Sequence, residues 1–167
     1  RKPSAERVKR SYELAAKDKA TVDLTEWLFA KEIVLLDAKI AKEPAATAEV
    51  QAIQVGPAVF ISNPAEFFCE LGLRIKAASP FPLTFPVELA NGCVGYVPTE
   101  EAFSASGGGY ETRLTSYSNL EVSAGPRMVE AGVQLARRMH PGKVPVPELA
   151  KPFQAPWSYG NVPPETK

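Results

Sequence analysis

The sequence is poor in histidine and carries no excess of charge. His140 is the single histidine among 167 residues. Most zinc enzymes take at least one ligand from histidine, and often two or three, so the chain alone is not expected to be a complete zinc enzyme. Lysine plus arginine and aspartate plus glutamate each number 19, which gives a formal net charge of zero. This balance gives no electrostatic reason to expect nucleic acid as a partner.

Cysteine is also scarce, with only Cys69 and Cys93 in the chain. One pair does not make a disulfide framework, and the two residues do not form the C-x-x-C spacing of structural zinc or redox sites. Free cysteine is among the most buried residue types. We therefore expect two reduced, buried thiols.

Long apolar runs are missing, so we expect no transmembrane segment. The first residues, Arg1-Lys2-Pro3-Ser4, are not followed by the apolar region of a signal peptide, and no initiator methionine is present. We interpret this start as internal to a longer protein. What the chain does contain is 45% apolar and 23% charged residues, a composition ordinary for a globular protein.

The N-terminal half predicts a helical hairpin followed by a strand hairpin. Helices are expected over 4–20 and from Asp23 to just before Pro44, where the residue preceding proline disfavours helix. Strands are expected over 48–55 and 58–61, joined by a turn at Gly56-Pro57. The second strand is apolar throughout, which indicates burial on both faces.

Asn63-Pro64-Ala65-Glu66 gives the clearest helix-start signal of the chain. Asn63 suits the N-cap, Pro64 the first helical position, and Glu66 can reach back to the N-cap amide. The predicted helix ends near Ser79-Pro80. Gly72 costs about 1 kcal/mol relative to alanine inside a helix, so we explain it by the close approach of another backbone.

Asn91-Gly92 predicts a tight hairpin between strands at 83–90 and 93–97. A short helix at 99–103 and a last helix over 125–139 follow. Seven of the sixteen prolines lie in 141–167, which predicts an extended proline-rich tail. The predicted fold class is α/β, with α+β as an alternative: a mixed sheet, an N-terminal helical hairpin and flanking helices, in a single domain over 1–140.

Three sequence blocks follow one another in the middle of the chain. The first is Pro64-Ala65-Glu66 followed by Gly72-Leu73-Arg74-Ile75-Lys76. The second is the apolar strand and turn that lead to Tyr96-Val97-Pro98-Thr99 and the acidic pair Glu100-Glu101. The third is Tyr110-Glu111-Thr112 after a glycine run. In this order the blocks resemble the C-terminal part of the catalytic domain of neutral ceramidases, a family of zinc amidases, and the resemblance covers roughly residues 50–135.

The resemblance implies a zinc site and an amide substrate. In that family two histidines, one glutamate and one tyrosine hold the zinc, which activates a water for attack on an amide carbonyl. The glutamate matches Glu66 and the tyrosine matches Tyr96, so these are our candidate metal ligands. The histidines are expected upstream of this chain. Tyr110 is our candidate catalytic residue, on a mobile loop near the site, and the family implies a secreted or periplasmic location.

Some residues depart from the family pattern. Phe67 and Phe68 stand where many ceramidases have threonines. The stretch between the first two blocks is short and rich in proline, and a proline-rich tail replaces the immunoglobulin-like module. These departures argue against a lipid-like substrate more than they argue against a metal site.

Each candidate also has a structural interpretation. Glu66 is explained by helix capping alone, Tyr96 by core packing, and Tyr110 with Glu111 by a surface turn. For Asn91 we favour the turn, and for His140 an interaction with a helix C-terminus.

Three functions follow from these observations. The chain is part of a ceramidase-like zinc hydrolase and is completed by the upstream part of the same protein. Alternatively, it is a metal-free scaffold that serves as an interaction module. In the third, a cleft between the Glu66 helix and the Tyr96 hairpin binds a small molecule.

Overall fold

The computed structural model describes residues 1–152 and 163–167. The described residues form the helices α1 (Ala5–Ala15), α2 (Leu24–Lys42), α3 (Cys69–Ala78) and α4 (Ala124–Arg137). They form the strands β1 (Gln51–Val55), β2 (Ala58–Ser62), β3 (Glu66–Phe67), β4 (Leu83–Val87) and β5 (Tyr96–Val97), with short 3₁₀ turns at Lys19–Thr21, Glu101–Phe103 and Tyr110–Thr112. The predicted mixed α/β class is confirmed.

A three-stranded sheet with the order β1-β2-β4 forms the centre of the fold. β1 and β2 pair antiparallel, as their predicted hairpin requires. β2 and β4 pair parallel, and α3 connects them, because parallel neighbours need a crossover between them. β3 and β5 continue this parallel pairing as a separate two-stranded ladder beyond the carboxyl ends of β2 and β4.

The predicted helix start at Asn63-Pro64 is wrong. Residues 66 and 67 form β3, and α3 begins only at Cys69, after Phe68. The Glu66 amide donates to the Gly95 carbonyl at 3.0 Å, so this segment stays extended to pair with β5. The Asn63 side chain still caps locally, since its Oδ1 accepts from the Ala65 amide at 3.1 Å, but it caps a bend and not a helix.

The predicted hairpin at Asn91-Gly92 is also wrong. β4 and β5 pair with β2 and β3 and not with each other. Asn91 does adopt the positive φ expected of it, at 61°. The segment 88–95 instead folds over the corner between β2 and β3. Three of its backbone amides donate to carbonyls of that corner: Leu89 to Ala65, Ala90 to Asn63, and Val94 to Pro64.

One face of the central sheet is covered by α3 and α4. The β2 side chains on this face, Val59 and Ile61, are fully buried. α4 approaches β2 closely at Gly132, where an added Cβ would lie 2.5 Å from the Ile61 side chain. Close approach therefore explains Gly132. It does not explain Gly72, where an added Cβ would meet the Pro86 side chain at an ordinary 3.7 Å.

The other face of the sheet is apolar and exposed in the described part of the chain, so the prediction that β2 is buried on both faces is wrong. Phe60 and Phe85 stack at its centre, with ring centroids 5.1 Å apart. We call this surface the apolar sheet face; its large side chains are Ile53, Val55, Phe60, Leu83, Phe85 and Val87.

The helical hairpin packs on a smaller core of its own. Ile33 and Leu36 of α2 are buried against Leu114, so the hairpin contacts the segment that precedes α4. The first predicted helix is shorter than expected, because α1 ends at Ala15 and only a 3₁₀ turn follows.

Cys69 and Cys93 are both exposed, contrary to the predicted burial. Cys69 opens α3, which buries Leu71 and Ile75 instead. Residues 141–152 have no regular secondary structure, as predicted for the tail, whereas its residues 153–162 lie outside the described part. No helix of the described residues is long and apolar enough to cross a membrane.

A candidate metal half-site and its tyrosine cluster

Glu66 and Tyr96 lie side by side on neighbouring strands. They are direct partners in the parallel β3–β5 ladder. Because side chains alternate between the two faces of a ladder, partnered residues project to the same side. Both are half-buried, and they lie beyond the carboxyl ends of β2 and β4, where open α/β sheets place their ligand sites.

The Glu66 carboxylate is the main cause of a raised pKa at the Tyr96 phenol. Hydrogen bonding to Glu66 is the largest cause that raises the pKa of Tyr96 to about 12, followed by burial and by the charge of Glu66. Tyr110 and the Glu111 carboxylate add smaller effects of the same sign. A carboxylate next to a phenol disfavours the phenolate, since two negative charges would then adjoin.

Tyr110 lies beside this pair. Its ring makes edge contacts with Tyr96, at 5.8 Å between centroids, and with Phe29 of α2, at 6.0 Å. Its hydroxyl lies 3.1 Å from the Tyr117 hydroxyl. The structure thus brings the three candidates Glu66, Tyr96 and Tyr110 to one place.

A tight turn over residues 115–118 supports β5 from behind. Ser118 is buried, and its Oγ accepts from the Tyr96 amide at 2.9 Å. Gly95 has φ of 70°, and an added Cβ would lie 2.3 Å from Ser118 Oγ and 2.8 Å from the Tyr117 carbonyl oxygen. Glycine is therefore required here by both conformation and space.

Helix α2 forms a wall of the cluster. The Arg113 guanidinium lies 3.4 Å from the centroid of the Phe29 ring and pairs with Glu26 at 3.0 Å. Glu32 accepts hydrogen bonds from the Ser116 amide and hydroxyl, at 3.1 and 2.5 Å. These contacts hold the helical hairpin against the loop that carries Tyr110.

The sequence did not point to Phe29, Glu32, Tyr117 or Ser118 as site residues. The run Thr115-Ser116-Tyr117-Ser118 has the composition of a turn, which predicts a turn but not its partner. Phe29 belongs to the apolar stripe of α2 and carries no signal that separates it from a core residue.

His140 is not brought to the site. It is exposed, and its carbonyl accepts from Gln54 at 2.7 Å, next to the β1–β2 turn. That turn lies at the opposite end of the strands from Glu66. His140 also lies three positions past the last residue of α4, which weakens the predicted interaction with the helix C-terminus. Asn91 is exposed in the loop 88–95, in agreement with its structural interpretation.

The described residues contain no group of three or more histidine, cysteine, aspartate and glutamate side chains that could hold a metal ion. Glu66 and Tyr96 offer two oxygen donors, which is half of a four-ligand zinc shell. Comparisons of the chain with protein-family models, curated proteins and solved structures found no match.

Proposed function

We propose that this chain is part of a ceramidase-like, zinc-dependent amide hydrolase and carries the glutamate and tyrosine half of its metal site. Glu66 and Tyr96 would be two of the ligands, with two histidines supplied by the upstream part of the same protein. The observation that carries the proposal is the direct pairing of Glu66 with Tyr96 across two parallel strands.

The chemistry of the two donors suits a hard or borderline cation. Without a cation, Glu66 favours the neutral phenol and raises the pKa of Tyr96 to about 12. A divalent cation held by Glu66 and Tyr96 would reverse this preference, because it would stabilise the negative charge of both side chains. When bound, zinc would supply an activated water for attack on an amide carbonyl.

The residues around the pair have roles that need no metal. Ser118 and Gly95 fix the position of the Tyr96 backbone. Tyr110 presents a half-exposed phenol next to Tyr96, where it could donate a hydrogen bond to a substrate oxygen. The substrate class that follows from the proposal is an amide, of a lipid-like or other kind.

The apolar sheet face supports a role for the upstream part as a partner. Soluble monomers rarely expose contiguous apolar patches larger than a few hundred Å². This face holds six large apolar side chains and has a stacked aromatic pair at its centre. A polypeptide layer packed on it would bury them next to the strand ends that carry the half-site.

The proposal is tested by zinc binding to the longer polypeptide that includes the upstream residues. Glu66→Gln and Tyr96→Phe should each lower zinc affinity at least about tenfold, since each removes one of the protein ligands. Glu13→Gln and Tyr12→Phe on the exposed side of α1 are matched controls and should leave the affinity unchanged. Zinc content is measured after dialysis against buffered free zinc.

If the longer polypeptide binds no zinc, or if both site variants bind it as the parent does, the metal role is wrong. The second candidate function, a metal-free scaffold that binds a partner, would then be favoured. The apolar sheet face is the observation that supports it. In that case the upstream part, produced separately, should associate with this chain without zinc, and Phe85→Lys should abolish the association.

A further inference from the structure

The turn that carries Tyr117 is fixed by buried hydrogen bonds. Thr115 and Ser118 are each only 2% exposed. The Ser118 amide donates to Thr115 Oγ1 at 2.8 Å, and Ser118 Oγ accepts from the Tyr96 amide at 2.9 Å. Buried hydrogen bonds are costly to break, so this turn holds a constant position relative to β5.

Tyr110 lies on a more exposed segment. It follows Gly107-Gly108-Gly109, and the last two of these glycines have φ of 124° and 98°. Its side chain is 54% exposed. The 3₁₀ turn at Tyr110–Thr112 orders its backbone, whereas a half-exposed side chain keeps rotamer freedom unless a neighbour restrains it.

The contact that joins the two segments is the 3.1 Å approach of the Tyr110 and Tyr117 hydroxyls. The same contact is the largest cause that raises the pKa of Tyr117 to about 12. The buried turn and the half-exposed ring are thus connected through the two side-chain hydroxyls.

We propose that Tyr117 is a positioning residue that holds the Tyr110 phenol over the Glu66–Tyr96 pair. Phe29 of α2 supplies the opposite wall, so the Tyr110 ring is held between Phe29 and Tyr96 with its hydroxyl fixed by Tyr117. The relation between the two tyrosines concerns this chain alone. Its consequence for catalysis rests on the proposed function.

The direct test is Tyr117→Phe, which removes one hydroxyl and keeps the ring. Proton NMR of the chain reports the ring-current shifts of the Tyr110 ring and its nuclear Overhauser effects to Tyr96 and Phe29. Single substitutions assign the tyrosine signals. We expect Tyr117→Phe to reduce these shifts by at least about half as the Tyr110 ring begins to move. Tyr12→Phe is the matched control, because it also removes one tyrosine hydroxyl. That hydroxyl is exposed on α1 and donates to Asp37 of α2.

Unchanged Tyr110 signals in a folded Tyr117→Phe variant would overturn the proposal. A second variant, Tyr110→Phe, keeps the test decisive if Tyr117→Phe does not fold, because it removes the other hydroxyl of the same contact and keeps the ring. We expect the ring at position 110 to lose its ring-current shifts in this variant as well. Unchanged shifts of that ring would overturn the proposal.

The catalytic consequence is measured on the longer, zinc-loaded polypeptide with an amide substrate. Tyr117→Phe should lower kcat by about tenfold or more with little change in KM and none in zinc content, since it misplaces a group that acts after binding. If the parent protein binds no zinc, the proposed function is wrong, whereas the NMR result on the two tyrosines still holds. A normal kcat with a displaced Tyr110 would refute only the catalytic consequence.

Discussion

The substitution Glu66→Gln should lower the pKa of Tyr96. In the parent chain hydrogen bonding to Glu66, burial and the charge of Glu66 raise that pKa to about 12, in that order of importance. Glutamine keeps the size and the hydrogen-bonding capacity of the side chain but removes its charge. The effects of burial, Tyr110 and Glu111 remain, so we expect the pKa of Tyr96 to decrease but to stay above its ordinary value.

The same change has a defined effect on stability at high pH. A phenol whose pKa is raised in the folded state holds its proton while the unfolded chain loses one, so folding stability falls as pH increases from about 10 to the folded pKa. In the parent chain this loss continues to about pH 12. In Glu66→Gln the loss should end at a lower pH, because the pKa of Tyr96 in the folded state is lower. Below pH 10 the group is protonated in both states and contributes no pH dependence.

The assay is a titration of tyrosine ring carbons by NMR, in which Tyr96→Phe identifies the Tyr96 signal. Tyr12 is an internal control, because its pKa is raised by burial and by Asp37 and not by Glu66. A Tyr96 signal that titrates at the ordinary value in the parent chain would refute the reasoning. So would a raised value that Glu66→Gln leaves unchanged, since the carboxylate would then not lie at the phenol.

The remaining predictions concern packing. Gly95→Ala should destabilise the chain by about 2–4 kcal/mol, measured by denaturant unfolding, because φ of 70° is strained and the new Cβ would overlap the 115–118 turn. Gly72→Ala should stabilise it by up to about 1 kcal/mol in the same assay, since the nearest atoms, on Pro86, lie 3.7 Å away. Phe85→Lys, in the exposed aromatic pair, should reduce binding of a hydrophobic dye and self-association at a cost of about 1 kcal/mol or less; unchanged dye binding would show that the apolar sheet face is not accessible.

Local signals in the sequence predicted the elements whose partners are near in the chain. The helix start predicted at Asp23 is confirmed, since its carboxylate caps α2 by accepting from the Glu26 amide at 2.9 Å, and α2 ends before Pro44 as expected. The β1–β2 hairpin is confirmed because two residues, Gly56 and Pro57, join its strands. In each case the interaction that fixes the element lies within a few residues of it.

The two wrong assignments share one cause. Asn63-Pro64 and Asn91-Gly92 are strong signals for a helix start and a hairpin, yet both lie in segments that pair with each other. That pairing joins Glu66 to Tyr96, which are thirty positions apart in sequence. Parallel pairing at such a separation leaves no local pattern, because it depends on the crossover through α3. Tertiary hydrogen bonds then override the local preferences.

The candidate site was predicted only as far as the ceramidase resemblance reached. Glu66, Tyr96 and Tyr110 were named from motif positions, and the structure brings them together. Tyr117 and Phe29 reach the cluster from a turn and from α2. Neither residue type nor spacing distinguishes them from ordinary turn and core residues.

The corner where these two segments meet departs from local preference in several ways at once. Leu89 and Asn91 both adopt positive φ, and the buried Asn63 Nδ2 group has no hydrogen-bond partner among the described residues. Strained conformations of this kind are common at functional sites, where the surrounding structure holds a geometry that local preferences alone would not adopt. Here the geometry that they preserve is the register of β3 on β5. A shift of one residue would turn Tyr96 to the opposite face of the ladder from Glu66, so the length of the loop 88–95 decides whether the two oxygens can meet at all.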